Sequence, residues 1–451
     1  MSDTQTRLDE IAELNPIRAL KKGKMTSFVE MASLPTNSRD IENIAQKEFS
    51  GSGSKFKNGD ILFARITPCL ENGKTAKVAG LQHDEIAHGS TEFIVLSARE
   101  PEFDEDYLYY FCRLPEFRNY AKSRMEGTSG RQRVSWQALA EFEFDFPDKE
   151  IRKKAADMLK IFDDKIQLNT QTNQTLEAIA QAIFKSWFVD FDPVRAKAQA
   201  ILDGKTRDEA NLSAMAVISG KAIEDLSQTE YQELWEIADA FPSELVENAE
   251  FGEVPKGWEN GTLSDFGEII CGKTPSKSKS EYYGDDIPFI KIPDMHGKVF
   301  ITQTIDNLSL IGADSQTKKY IPKGSICVSC IATVGLVSIT STKSQTNQQI
   351  NSIVPKSLIF SEYLYLYLSQ SEINKYMKNL ASGGSATLNM NTGTFSSIEI
   401  LKPNENIICF FNEKIASLFE KILNNDMENL KLAQTRDLLL PKLLSGELLN
   451  E

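Results

Sequence analysis

Gly267-Glu268-Ile269-Ile270-Cys271-Gly272-Lys273-Thr274 matches a phosphate-binding loop letter for letter. In that chemistry a buried strand leads in, and the amides at the start of a following helix hold the phosphates. Here Pro275 and the polar run Ser276-Lys277-Ser278-Lys279-Ser280 follow, without an apolar helical period. No apolar run ending in an acid supplies a magnesium site, so nucleotide hydrolysis is not expected. Pro147-Asp148 with Asp163-Asp164-Lys165 has the residue types of a nuclease triad, which needs its acids on adjoining strands around a metal. These acids fall at the start and on the outside of a helical stretch, and the expectation is exposed charge. Cys327 and Cys330 spell C-x-x-C in an alternating strand, where positions three apart face opposite ways. His83, His88 and His296 have no ligand or triad spacing, and neither an Asn-Pro-Pro-aromatic motif nor a glycine-rich cofactor fingerprint occurs. No catalytic or metal-binding residue is assigned.

The elements around these motifs occur twice. Tyr107-Leu108-Tyr109 returns as Tyr363-Leu364-Tyr365, Ser129 as Ser385, Leu139 as Phe395, Pro147 as Pro403 and Trp187 as Leu443, always 256 positions on. A register held from Tyr107 to Phe188 marks a duplicated unit. Upstream the shift drifts to 265, where Phe56–Phe63 echoes Ile321–Val328. Each copy reads as short alternating strands punctuated by Gly and Asn, then a helix (about Glu105 to Ser123 in the first), then a small-residue loop: α+β. A duplicated chain suits a target that is itself two-fold or bipartite, such as a nucleic-acid duplex.

A seam of apolar residues spaced by threes and fours closes each copy. It runs Leu159, Phe162, Ile166, Asn169, Asn173, Leu176, Ala180, Ile183, Trp187 in the first, and Ile415, Leu418, Ile422, Asn425, Asn429, Leu432, Arg436, Leu439, Leu443 in the second. This is a coiled-coil pattern of about four heptads. Asparagine in a seam costs stability but fixes register, because a partner amide satisfies it. Antiparallel pairing with ends matched sets Asn169 and Asn173 against Asn429 and Asn425. Leu159 to Trp187 spans about 42 Å at the α-helical rise, slightly more than the ~34 Å turn of B-DNA, so the helices read as a spacer.

The net charge of −14 argues against a nucleic-acid binder only when taken whole. Asp190 to Gly257 holds 15 acidic against 6 basic residues, and therefore −9 of that charge. Six scattered cysteines suggest reduced thiols, and no apolar run reaches membrane-span length; a cytoplasmic protein is expected. The expected organisation is a first strand-rich domain at 1–150, a spacer helix at 151–189, an acidic helical insert at 190–258, a second strand-rich domain at 259–404 and a second spacer helix at 405–451.

Gly-Lys-Thr-Pro (272–275), Pro-Phe-Ile-Lys (288–291), Gly-Ser-Ile (324–326), Thr-Asn-Gln-Gln-Ile-Asn (346–351), Tyr-Leu-Tyr (363–365), Leu-Leu-Ser-Gly-Glu-Leu (443–448) and Ser186–Arg195 together resemble the specificity subunit of type I restriction-modification systems. The resemblance implies two tandem, pseudo-two-fold-related α/β target recognition domains, separated by two long antiparallel coiled-coil helices, each domain reading half of a split sequence in double-stranded DNA. It implies a non-catalytic prokaryotic chain that binds no cofactor itself and recruits DNA methyltransferase (modification) subunits, two of them expected, and restriction/translocase subunits. S-adenosylmethionine, ATP and magnesium would reside on those partners. The phosphate-loop match then becomes the family's Gly-x-Thr-Pro turn.

Bidentate Arg reads guanine and Asn or Gln reads adenine, while Lys, Ser, Thr and backbone amides hold phosphates. On that basis Arg131, Gln132 and Arg133, in a loop with Ser129, are the base readers of the first unit, and Arg65, Thr67, Lys74 and Lys77 its phosphate contacts. In the second unit Lys273, Thr274, Ser276, Lys277 and Lys279 form a basic polar loop. Asn347, Gln348 and Gln349 are placed to read adenine, and Ser382, Ser385 and Asn389 match the first unit's loop. The competing expectation is a duplicated protein-binding adaptor without DNA specificity, favoured by the acidic charge.

Overall fold

The computed structural model describes residues 5–41, 43–128, 130–381 and 388–449. They form two compact units: residues 1–171 with 428–451, and residues 172–427. The cuts at 171/172 and 427/428 lie 256 positions apart, the period of the repeat.

The first unit carries an antiparallel sheet in the order Ala12–Leu14, Phe93–Ala98, Ile61–Ala64, Thr75–Lys77. All of Ile61–Ala64 is buried, so this central strand reads as a continuous apolar run, as a strand covered on both faces does. A second sheet, in the order Ala45–Glu48, Met25–Val29, Ala87–Gly89, Ser54–Phe56, contains one parallel pair, Phe28 beside His88. Where the sequence suggests one helix from Glu105 to Ser123 there are two, Pro101–Phe111 and Pro115–Ser123. Pro115 has no amide hydrogen to continue the first helix and suits the opening turn of the second.

The second unit repeats this order with one strand more: Gly267–Cys271, Ile350–Pro355, Ile326–Ser329, Val337–Thr340, Phe300–Ile301. Its smaller sheet, Asn307–Leu308, Tyr283–Ile290, Gln345–Thr346, again holds a parallel pair, Phe289 beside Gln345. Helices Ser361–Leu368 and Ser371–Ala381 follow. Gly59 and Gly324, 265 positions apart, both turn the chain at left-handed φ (89° and 84°), a conformation glycine adopts without steric cost.

The acidic stretch folds within the second unit as helices Asp192–Leu202, Arg207–Ser219 and Gln228–Ala240, followed by a hairpin, Leu245–Asn248 with Gly252–Pro255, that the sequence reading did not anticipate. Val194, Ala214, Met215, Ala238 and Phe241 join the unit's main core. Lys197 is buried, and its Nζ donates to the carbonyls of Ala238 (2.8 Å) and Phe241 (2.6 Å). It thereby satisfies acceptors that the end of a helix leaves open. Burial pushes its pKa down to about 8.

Two 40-residue helices, Lys149–Phe188 and Glu405–Leu444, run through both units. In the first unit Asn169 Nδ2 donates to Asn429 Oδ1 (2.9 Å) and Glu428 Oε2 (2.8 Å). In the second Asn425 Nδ2 donates to Asn173 Oδ1 (2.8 Å), and Asn173 Nδ2 to Asp426 Oδ1 (2.9 Å). Asp163 corrects an expectation. It is buried, accepting from Tyr110 Oη (2.7 Å) and paired with Arg436 Nη1. Burial first, then the Asp163 charge, raises the Tyr110 hydroxyl's pKa, so the phenol stays a donor. The helix face that a string of acids suggested was outward carries a charge pair inward.

Candidate nucleic-acid interface

In the first unit three segments meet at the end of the central strand. Arg65 N donates to Glu92 O (3.0 Å), Thr67 N to Gln132 O (3.0 Å), and Val134 N to Arg65 O (3.0 Å). The loop Arg131-Gln132-Arg133 is thereby pinned beside Arg65-Ile66-Thr67. Arg131 is exposed and Gln132 half-buried. Arg133 is held by Glu92: its Nε lies 2.9 and 3.0 Å from the two carboxylate oxygens and its Nη2 2.7 Å from Oε1. Hydrogen bonds from Arg133, aided by the charges of Arg133 and Arg65, hold the Glu92 carboxyl below the usual carboxylate range. Arg65 Nε and Thr67 Oγ1 are buried with no hydrogen-bond partner among the described residues. Buried polar atoms are ordinarily satisfied, and these two are exceptions at this edge.

The second unit builds the same edge with the same backbone bonds. Cys330 N donates to Gln349 O (2.8 Å), Ala332 N to Leu388 O (2.9 Å), and Met390 N to Cys330 O (2.9 Å). Asn389, exposed, bridges to Ile331 as Arg133 bridges to Ile66. The turn Gly272-Lys273-Thr274 docks on this edge, with Lys273 N on Thr346 O (2.9 Å) and the Thr274 hydroxyl on Gln348 Oε1. A Cβ on Gly272 would lie 2.1 Å from Asn347 O, so only glycine lets the strands approach this closely. No α-helix follows the turn; a loop, exposed from Ser276 on, leads into a single 3-10 turn at Ser280–Tyr282. Lys273, Ser276, Lys277 and Lys279 are exposed on it, Ser276 bonding to Ser278 and Lys279 Nζ lying 2.9 Å from Tyr282 Oη.

Three expected contacts are engaged inside the fold. Lys77 Nζ pairs with Glu105 and Asp106. Lys74 Nζ donates to the carbonyls of Met31 (2.8 Å) and Ala32 (3.2 Å). Asn347 is buried, donating from Nδ2 to Gln349 Oε1 (3.0 Å) and accepting from Gln349 N (3.0 Å), so it shapes the loop instead of facing a base. A lysine or amide near a strand turn looks the same in sequence whether its partner is a phosphate or a carboxylate folded in from elsewhere. Ser129, Ser382 and Ser385 lie outside the described residues. Cys327 and Cys330 are free, buried thiols, pushed up to about 12 and about 11 by burial. No helix among the described residues is long and apolar enough to cross a membrane. Glu92 escaped the sequence reading. Its signal is positional: Ser90 Oγ accepts from Glu92 N (3.1 Å) as Asn347 Oδ1 accepts from Gln349 N, at a shift of 257.

Residues 3–178 and 255–435 match the family described as "Type I restriction modification DNA specificity domain". The chain is 52% identical over 421 residues to the type I restriction enzyme HindI specificity subunit of Haemophilus influenzae, covering 91% of this chain and 90% of that protein. It is 25% identical to the MjaIX specificity subunit of Methanocaldococcus jannaschii over 76% of this chain and 69% of that one. The solved S subunit from M. genitalium aligns over 98% of this chain and 96% of its own at 14% identity and a TM-score of 0.46. With the family's domain present twice over most of its length, the chain belongs to the type I restriction-modification specificity subunits.

Proposed function

We propose that this chain reads a bipartite sequence in double-stranded DNA, one half with each three-segment edge, and takes no part in bond making itself. The observation that carries the reading is the pair of matched edges: identical backbone bonding at 65–67, 92 and 132–134, and at 330–332, 349 and 388–390, dressed with different side chains. An identical scaffold with different surface groups suits two different half-sites joined by one rule of geometry. Arg131, Gln132 and Arg133, with Gln348, Gln349 and Asn389, face the base edges. Arg65, Thr67, Lys273, Thr274, Ser276, Lys277 and Lys279 hold phosphates. The long helices set the gap between half-sites. Modification subunits carrying S-adenosylmethionine methylate adenine within the target, and restriction subunits using ATP and magnesium complete the assembly.

The test is to express the chain with its neighbouring modification subunit and map methylated adenine across the host DNA. A single split motif with a fixed gap is expected. An assembled complex that methylates nothing overturns the reading in favour of a protein-binding adaptor.

A further inference from the structure

Glu92 and Arg133 in the first unit stand at the places of Gln349 and Asn389 in the second. The backbone fixes this equivalence. Arg65 N bonds to the carbonyl of residue 92 and Cys330 N to that of residue 349. Residue 133 bridges to Ile66, and residue 389 to Ile331. The side chains differ in kind: a carboxylate holding a guanidinium in one unit, two amides in the other.

Glu92 grips Arg133 from the side, through Nε and Nη2. That leaves the end of the guanidinium, Nη1 and the second hydrogen of Nη2, as a planar pair of donors, with Nη1 touched among the described residues only at 3.4 Å by Arg131 O. The Arg133 side chain is 40% exposed and that of Glu92 23%. Its backbone is clamped as well, N to Glu126 O (2.8 Å) and O from Glu126 N (2.9 Å). A forked donor pair of this kind matches O6 and N7 of guanine in the major groove, and fixing an arginine before it binds reduces the ordering cost of contact. A lysine-like phosphate contact needs none of this, since an ammonium on a flexible stem serves as a point charge.

We infer that Arg133, oriented by Glu92 as its positioning residue, reads one guanine in the first unit's half-site, and that the amides at 349 and 389 make the second unit read a different base at the equivalent step. This rests on the DNA-reading function proposed above.

The experiment compares methylation motifs written by the native complex and by complexes carrying Arg133→Ala or Glu92→Gln. In the native motif the first unit's half-site contains the guanine. Arg133→Ala relaxes that one G·C position, with discrimination falling on the order of tenfold to a hundredfold, and leaves the other half-site intact. Glu92→Gln relaxes the same position by less. A native complex that writes no split motif refutes the DNA-reading function itself. A native split motif that both variants write unchanged overturns this inference alone. Should Arg133→Ala methylate nothing, Arg133→Lys decides with copurification of the modification subunit as the check on assembly. Restoration of the native motif makes residue 133 a phosphate contact and overturns the inference, whereas an assembled complex still lacking that guanine preference upholds it.

Discussion

Asp163, Arg436 and Tyr110 in the first unit occupy the positions that Phe419, Ala180 and Leu366 hold in the second, each 256 residues away. All six are buried. The first set is joined by an ion pair and a phenol bond, with Arg436 also donating to Asn37 O (3.3 Å) and Asp437 Oδ1 (2.9 Å). The second set belongs to an apolar core. One helix-packing site thus accepts either solution, which shows that the backbone scaffold does not depend on which chemistry fills it. The two matched edges teach the same lesson at the surface: shared main-chain bonding, exchanged side chains. The asparagines are the exception, kept in both units, as residues that define register should be.

The largest effect follows from unbalancing the polar site. Arg436→Ala strands the Asp163 carboxylate in the core, and loss of one partner of a buried pair costs about 3–5 kcal/mol. The triple change Asp163→Phe, Arg436→Ala, Tyr110→Leu installs the second unit's solution and is expected to leave stability unchanged or higher, since apolar replacements of buried pairs often do. Denaturant unfolding of the full chain measures both. A triple variant as unstable as the single one would break the equivalence of the two sites.

Next in size is the register pair. Asn173→Ala removes the acceptor of Asn425, which is 1% exposed, and an unsatisfied buried amide costs about 1–3 kcal/mol. Asn169→Ala strands Asn429, which is only half-buried and can turn to water, so a smaller loss is expected in the same unfolding measurement. Equal losses would mean that the two asparagine pairs are alike in burial as well as in position.

The two units also differ in how their lysines are used. Lys273 is exposed, and Lys77 is closed between Glu105 and Asp106. Lys273→Ala is expected to lower the slope of log affinity against log salt by about 1, the signature of one lost phosphate contact. Lys77→Met is expected to leave the slope as it was. Titrating target DNA with the assembled complex at several salt concentrations separates them, and a Lys77 variant with the reduced slope would return that residue to the interface.

Periodicity made the repeat, the strand-rich units and the long helices legible before any coordinates, because each is written in many residues at once. Asp163 was illegible for the opposite reason: its partner is 273 residues distant, and a single acid on a helix carries no sign of which way it faces. The intramolecular partners of Asn347 and Lys77 were illegible likewise, being decided by tertiary packing. Glu92 was hidden because the drifting register places its counterpart at a shift of 257, between the two shifts that the sequence displays. The hairpin after the insert's helices lies in a stretch whose acidity drew attention to charge instead of alternation.

The smallest effect concerns His88, whose place 257 residues on is taken by Gln345, a group that does not titrate. His88 is buried against the rings of Phe28 and Phe49, with Nδ1 3.0 Å from the Thr26 hydroxyl. Burial first, then the charge of Lys47, lowers its pKa below the ordinary 6.5. The unfolded chain therefore binds a proton at higher pH than the native unit does. As pH falls below 6.5, that difference draws the equilibrium toward the unfolded state until the depressed native value is reached, below which it adds nothing further. The first unit should lose stability in this window by an amount that His88→Gln removes. The measurement is the difference between native and variant unfolding free energies at pH 7.5 and at successive steps down to pH 5. A difference independent of pH would mean that the imidazole is as easily protonated in the fold as outside it, and that the two units do not differ in their response to acid at this strand.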